Sequence, residues 1–208
     1  KKINNSFMNY ILNNLNEKYI FLLTLVLLSP LLNSGFFSDD AYQSQIHGVL
    51  IERNTNLFLH TYNETKGWIM QGRIFPLSML SFSIFYFLYE NIFIYKLLNI
   101  TTIALCCIFF YKNLYLITKN KNISFLSVVI LLGSFQLRLW HDPIQGFHIL
   151  LPLTTLFFLI SIFCLQKYLI LNKKFYLKNI FFSFIIMILH YEVTYSLILI
   201  YPIIFFIY

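Results

Sequence analysis

The sequence predicts an all-α membrane protein: a polytopic bundle of transmembrane helices with juxtamembrane helices in its first outer loop. Three observations predict it. Of 208 residues, 59% are hydrophobic and 11% charged, with a mean hydropathy of +0.71, against about 45–50% apolar and about 25% charged in soluble domains. The apolar residues fall in long unbroken runs, not the alternating short segments of a membrane β-barrel. The charges separate by sign along the chain in the way membrane orientation requires. Six Gly and five Pro exclude collagen-like or linker character. Cys106, Cys107 and Cys164 lie in apolar runs without metal or redox spacing, so they read as small hydrophobes.

The runs define the elements in order. A helix needs about 20 residues to cross the hydrocarbon. Tyr19–Leu32 is the first run, closed by Asn33-Ser34-Gly35, and no small-residue cleavage site follows it, so a retained helix is expected. Further runs are Ile74–Tyr89, Ile92–Ile117, Ile123–Trp140, Ile149–Leu171, Ile180–Leu189 and Val193–Tyr208, punctuated by Lys and Asn. If all seven crossed from a cytoplasmic N-terminus, the lysine clusters at 112–121 and 167–178 would both lie outside. Laying Pro76–Tyr89 flat in the outer interface, as an amphipathic helix, repairs both. Ten lysines then face inward against Glu17 alone, while five cations and seven acids face outward. The net charge of +7 is thus a signature of orientation. Nucleic-acid binding, which needs a basic patch on a solvated face, is not expected.

The organisation expected is one transmembrane domain over residues 1–208, with a first outer loop at 33–95. A bacterial inner membrane is the expected location. The chain begins Lys1-Lys2 without Met and ends inside an apolar run, so a piece of a longer protein is expected.

Four outer segments carry candidate chemistry. Asp39-Asp40 follows the first span. Adjacent residues diverge by about 100° on a helix, so one carboxylate can face a cavity while the other caps a helix starting at Ala41. The plain alternative is a helix start and nothing more. Arg138-Leu139-Trp140-His141-Asp142-Pro143 ends another span. Proline holds Asp142 extended, with His148 opening the next span, and the alternative is an Asp-Pro turn anchored by Trp140. His190-Tyr191-Glu192 closes a third span. Glu192 at membrane depth is costly, and the alternative is a turn that snorkels. His190 and Glu192 are two apart and do not share a helix face, so they do not read as a metal pair. Arg73, before Phe75-Pro76, could grip a phosphate with its planar fork of donors, or touch ordinary lipid headgroups. A divalent metal between acids could offset the charge of a leaving phosphate.

This order resembles the GT-C superfamily of integral membrane glycosyltransferases, in particular the protein mannosyltransferase and aminoarabinose transferase branch. The matching features are a first helix, the acidic pair Asp39-Asp40 at its outer end, a long loop with Arg73 before Phe75-Pro76, two spans, and His141-Asp142-Pro143. The similarity covers roughly residues 15–171. The pair is Asp-Asp where Asp-Glu is commoner, and the spacing from Arg73 to Pro76 is looser. The resemblance implies an inverting transfer of sugar from a polyprenyl-phosphate donor to a glycan, lipid or protein acceptor at the outer membrane face. Asp39 would be the general base and Asp40 its helper or a cap. Asp142 would bind a metal, magnesium or manganese, or orient the acceptor, and Arg73 would hold the carrier phosphate. His141, His148 and Glu192 would be further substrate contacts. General-base catalysis and stabilisation of the leaving charge are the effects required. Two other readings remain: a transporter or flippase of lipid-linked precursors, and a non-catalytic membrane subunit on the same scaffold.

Overall fold

The computed structural model describes residues 16–36, 39–88, 90–135 and 149–208, and of residues 39, 42, 79–82 and 85 the backbone alone. The described residues are mostly helical and contain no strand. Two helices are long and apolar enough to cross a membrane, Ile92–Thr118 and Leu150–Leu171. The other expected spans are shorter helices or mixed segments.

Helix α1 covers residues 16–28 and tightens into a 3₁₀ turn at Ser29–Asn33. Pro30 explains the change, because it lacks the N–H and its ring crowds the carbonyl four residues back. Five short elements follow: α2 (Asp39–Gln43), α3 (Ile46–Glu52), α4 (Leu57–Met70), a 3₁₀ turn at Pro76–Ser78, and α5 (Met79–Leu88). Asn56 caps α4 by accepting from the Leu59 amide at 2.9 Å, and the chain leaves α4 through Gly72 at φ +81°. At ten residues, α5 is about 15 Å long, half the thickness of a hydrocarbon core.

Helix α6 (Ile92–Thr118) begins at Asn91, whose side chain accepts from the Ile94 amide. It ends on Lys119 in the left-handed region, and Asn120 at once caps α7 (Lys121–Gly133). So short a link turns α7 back along α6. After α8 (Leu150–Leu171), Asn172 in the left-handed region makes the same turn into α9 (Lys174–His190). The helix begins six residues before the expected apolar run at Ile180, because its first turns carry Lys174 and Lys178. The expected single helix from Val193 is instead a 3₁₀ segment, Glu192–Leu199, followed by α10 (Ile200–Ile207). The Thr194 and Ser196 hydroxyls donate to the carbonyls of Tyr191 and Val193, three residues back. Pro202 cannot donate to a preceding carbonyl.

Contacts fix the directions. The Asn16 amide donates to the Tyr111 hydroxyl at 3.0 Å, while Leu28 and Leu31 share a core with Ile100 and Ile103, so α1 and α6 are antiparallel. Cys106 meets the carbonyl of Pro152 and Asn113 that of Leu159, so α6 and α8 run parallel. Thr154 meets His190, so α9 returns against α8. Tyr201 meets Ser161, and the Lys119 ammonium lies 5.7 Å from the Tyr208 ring. The elements between 39 and 88, with the starts of α6 and α8 and the end of α9, therefore share one end, here the loop end. Glu17, Lys112, Lys119, Lys121, Lys167 and Lys173 share the other, the lysine end.

The interior is polar for so apolar a chain. Thr24, Ser161 and Gln166 are wholly buried, whereas Val26, Phe181 and Phe206 are 68%, 68% and 87% exposed. These polar side chains are buried alongside a hydrophobic core, and the large exposed apolar side chains suit a surface that faces lipid.

Candidate functional site

Both ends of the Asp40 interaction are set by local structure. Helix α2 starts at Asp39, so Asp40 sits inside it and not before a helix beginning at Ala41. Asp40 is wholly buried, and its Oδ1 accepts from the Tyr95 hydroxyl at 3.0 Å. Its Oδ2 lies 3.7 Å from Lys96 Nζ, and both side chains are almost fully out of solvent. Tyr95 and Lys96 are consecutive in the first turns of α6. Phe36 completes the enclosure: its ring meets Tyr95 edge-on at 5.7 Å, and the Lys96 ammonium lies 5.7 Å from it. The Lys96 ammonium, the Tyr95 phenol and the Phe36 ring thus enclose Asp40.

The second feature joins two candidates 119 residues apart. Arg73 Nε donates to Glu192 Oε1 at 2.7 Å. Arg73 reaches it from the segment after α4, where its guanidinium lies 4.7 Å from the Phe75 ring. Phe75 is buried between Trp68, stacked at 4.6 Å, and Tyr191, edge-on at 6.0 Å. The Tyr195 hydroxyl donates to the carbonyl of Ile74 at 2.9 Å. The aromatic residues thus fasten the segment after α4 to the end of α9 and leave Arg73 43% exposed. Its bond to Glu192 uses Nε, one of three guanidinium nitrogens.

His190, two residues from Glu192, contacts α8. It is wholly buried and its Nδ1 meets the Thr154 hydroxyl at 2.6 Å. The separation from Glu192 follows from the end of α9 at His190 and the turn into 3₁₀ geometry.

Among the expected site residues, then, Arg73 and Glu192 are in contact, and Asp40 is engaged by residues outside the expected set. The Asp39 side chain and the whole of His141, Asp142 and His148 lie outside the described residues. Lys96 and Tyr95 escaped the sequence reading. The available signal was a lysine at the fifth residue of an acid-free, largely apolar span, which calls for a buried partner.

No group of three His, Cys, Asp or Glu side chains suited to a metal occurs among the described residues. Asp40 faces an ammonium and Glu192 a guanidinium, and a divalent cation at either carboxylate would be repelled by the charge already there. Neither of these two carboxylates suits a metal, and Asp142, the expected metal ligand, lies outside the described residues. Comparison with protein-family models, with curated proteins and with solved structures finds no match.

Proposed function

We propose that the protein is a multi-pass membrane protein with a cytoplasmic N-terminus, and an inverting glycosyltransferase that takes sugar from a polyprenyl-phosphate donor at the outer face. The observation that carries this reading is the placing of two ion pairs, Asp40–Lys96 and Arg73–Glu192, at the loop end, opposite the lysine end. The loop end is then outside under the positive-inside rule.

In this reading Asp39 takes the proton of the acceptor hydroxyl. The oxygen attacks the anomeric carbon opposite the carrier, the carbon–oxygen bond to the carrier phosphate breaks, and the bond electrons leave with the phosphate. Arg73 neutralises that departing charge through the donors Glu192 does not use. Asp40 is a positioning residue. Its clamp on Lys96 fixes the five-residue helix that also carries Asp39. No step is routed through a metal.

The test is release of polyprenyl phosphate from a panel of polyprenyl-phosphate sugars by the purified protein in lipid, with candidate glycan, lipid and peptide acceptors supplied. Loss of release in Asp39→Asn, with folding intact, supports the reading. Equal release by Asp39→Asn removes the base. Movement of an intact donor across the bilayer without bond cleavage assigns a transporter instead.

A further inference from the structure

At the lysine end, α1, α6 and α8 enclose a cavity of about 270 Å³, lined by Glu17, Tyr111, Lys112, Tyr115, Phe163 and Lys167 among others. Two ammonium groups from different helices converge there on one ring. Lys112 Nζ lies 6.0 Å and Lys167 Nζ 5.6 Å from the centre of Phe163. Glu17 engages Lys112 at 2.9 Å. Lys167 has no carboxylate within ion-pair distance among the described residues. The Tyr111 hydroxyl accepts from Asn16, which leaves its own proton to donate. Beside this cavity, and sharing Glu17 with it, a groove of about 500 Å³ runs between α1 and α6 over Phe21, Leu22 and Ile108, with Lys18 at its edge.

A positive, donor-rich cavity that opens beside an apolar groove has the chemistry of a lipid site with an anionic head. We propose that this is a binding site for an anionic phospholipid of the inner leaflet. Its phosphate lies between Lys112 and Lys167, and an acyl chain lies along Phe21 and Leu22. Lys18, Lys112 and Lys167 against Glu17 leave a net positive site, which favours phosphate over a neutral head. Lysine supplies three donors, so Lys112 can keep Glu17 and still reach a phosphate oxygen. The proposal rests on the lysine end facing the inner leaflet and is independent of sugar transfer, which belongs to the other end.

The experiment is native mass spectrometry of the whole protein, released from bilayers of equal parts phosphatidylglycerol and phosphatidylcholine. One phosphatidylglycerol is expected to remain bound in preference to phosphatidylcholine. Lys167→Gln is expected to weaken retention about fivefold, and Lys112→Gln with Lys167→Gln about twentyfold. Lys173→Gln with Lys174→Gln removes the same charge from the same end and is expected to change nothing. Leu22→Ser is expected to weaken lipid retention while leaving glycerophosphate binding unchanged. If Lys112→Gln fails to fold for want of its Glu17 partner, Lys167→Gln alone decides. Equal retention of the two lipids, or an equal loss in the Lys173 and Lys174 control, overturns the site. The readout is bound lipid, so a protein that transfers no sugar can still pass it.

Discussion

The Asp40 carboxylate and the Lys96 ammonium face each other at 3.7 Å with 1% and 2% of their side chains exposed. Removing two charges from water is expensive, and their attraction recovers this only while both are present. Asp40→Asn or Lys96→Met alone is therefore expected to cost about 3–5 kcal/mol, because each strands a buried charge. Asp40→Asn with Lys96→Met is expected to recover most of that loss. Thermal unfolding of the four proteins in one detergent gives the cycle. Additive losses would mean that the pair does not act as a unit.

Arg73 and Glu192 are in closer contact but far more exposed, and solvent screens them. Their ion pair should contribute about 1 kcal/mol or less to stability. The two removals are not equivalent. Glu192 Oε2 is buried and accepts no hydrogen bond from the described residues, so Arg73→Ala leaves a poorly solvated carboxylate, whereas Glu192→Gln leaves a half-exposed guanidinium. Arg73→Ala is expected to lower the melting temperature more than Glu192→Gln. If Arg73 holds the carrier phosphate, Arg73→Ala also raises KM for the lipid-linked donor about tenfold to a hundredfold, the range of a lost charged hydrogen bond. Arg73→Lys should restore stability and little of the affinity, because a lysine lacks the planar fork. Unchanged KM in Arg73→Ala would remove the residue from donor binding.

How much of this was legible in the sequence depends on the range of the interaction. The limits of α6 and α8 follow from apolar runs broken by Asn91, Lys119 and Asn172, each of which caps or turns the chain within a residue or two. Helices α3 and α4 were not separately visible, since neither contains a long apolar run, and Leu57–Met70 is interrupted by Asn63, Glu64 and Lys66. The 3₁₀ segment at Glu192–Leu199 was hidden for the opposite reason: beyond Glu192 it is nearly as apolar as a helix, and only Thr194 and Ser196 interrupt it, with Pro202 just past its end. For the site, the sequence marked Arg73 and Glu192 separately, but nothing in their local patterns says that they meet. The Asp40–Lys96 pair spans 56 residues and forms only because the α1 turn delivers α2 to the first turns of α6.

His190 and Thr154 test the packing of α9 on α8. Their 2.6 Å contact is buried at the loop end, and a neutral buried pair couples modestly while an abandoned partner costs more. Thr154→Val and His190→Leu are each expected to destabilise by about 1–3 kcal/mol, and the double variant by less than their sum. A double-mutant cycle by denaturation in detergent measures the difference. A coupling of zero would mean that the imidazole gains nothing from the hydroxyl.

The directions of the helices make a prediction about sidedness. With α6 turning into α7 at Lys119-Asn120, and α8 into α9 at Asn172-Lys173, the residues of those turns lie at the opposite end from Glu52 and Glu90. Helix α6 alone, at 27 residues, is about 40 Å long and separates Glu90 from Lys121 by more than a hydrocarbon core. In a protein whose Cys106, Cys107 and Cys164 are replaced by alanine, single cysteines at Glu52→Cys and Glu90→Cys should react with an impermeant maleimide from outside intact cells. Lys121→Cys and Lys173→Cys should react only after the membrane is opened. Positive charge sets this orientation, so adding lysines near Glu52 should lower the fraction of chains that place Glu90 outside. Labelling of Glu90→Cys and Lys121→Cys from the same side would mean that α6 does not cross. Asp40 and Arg73 would then have no claim to an outer-face site.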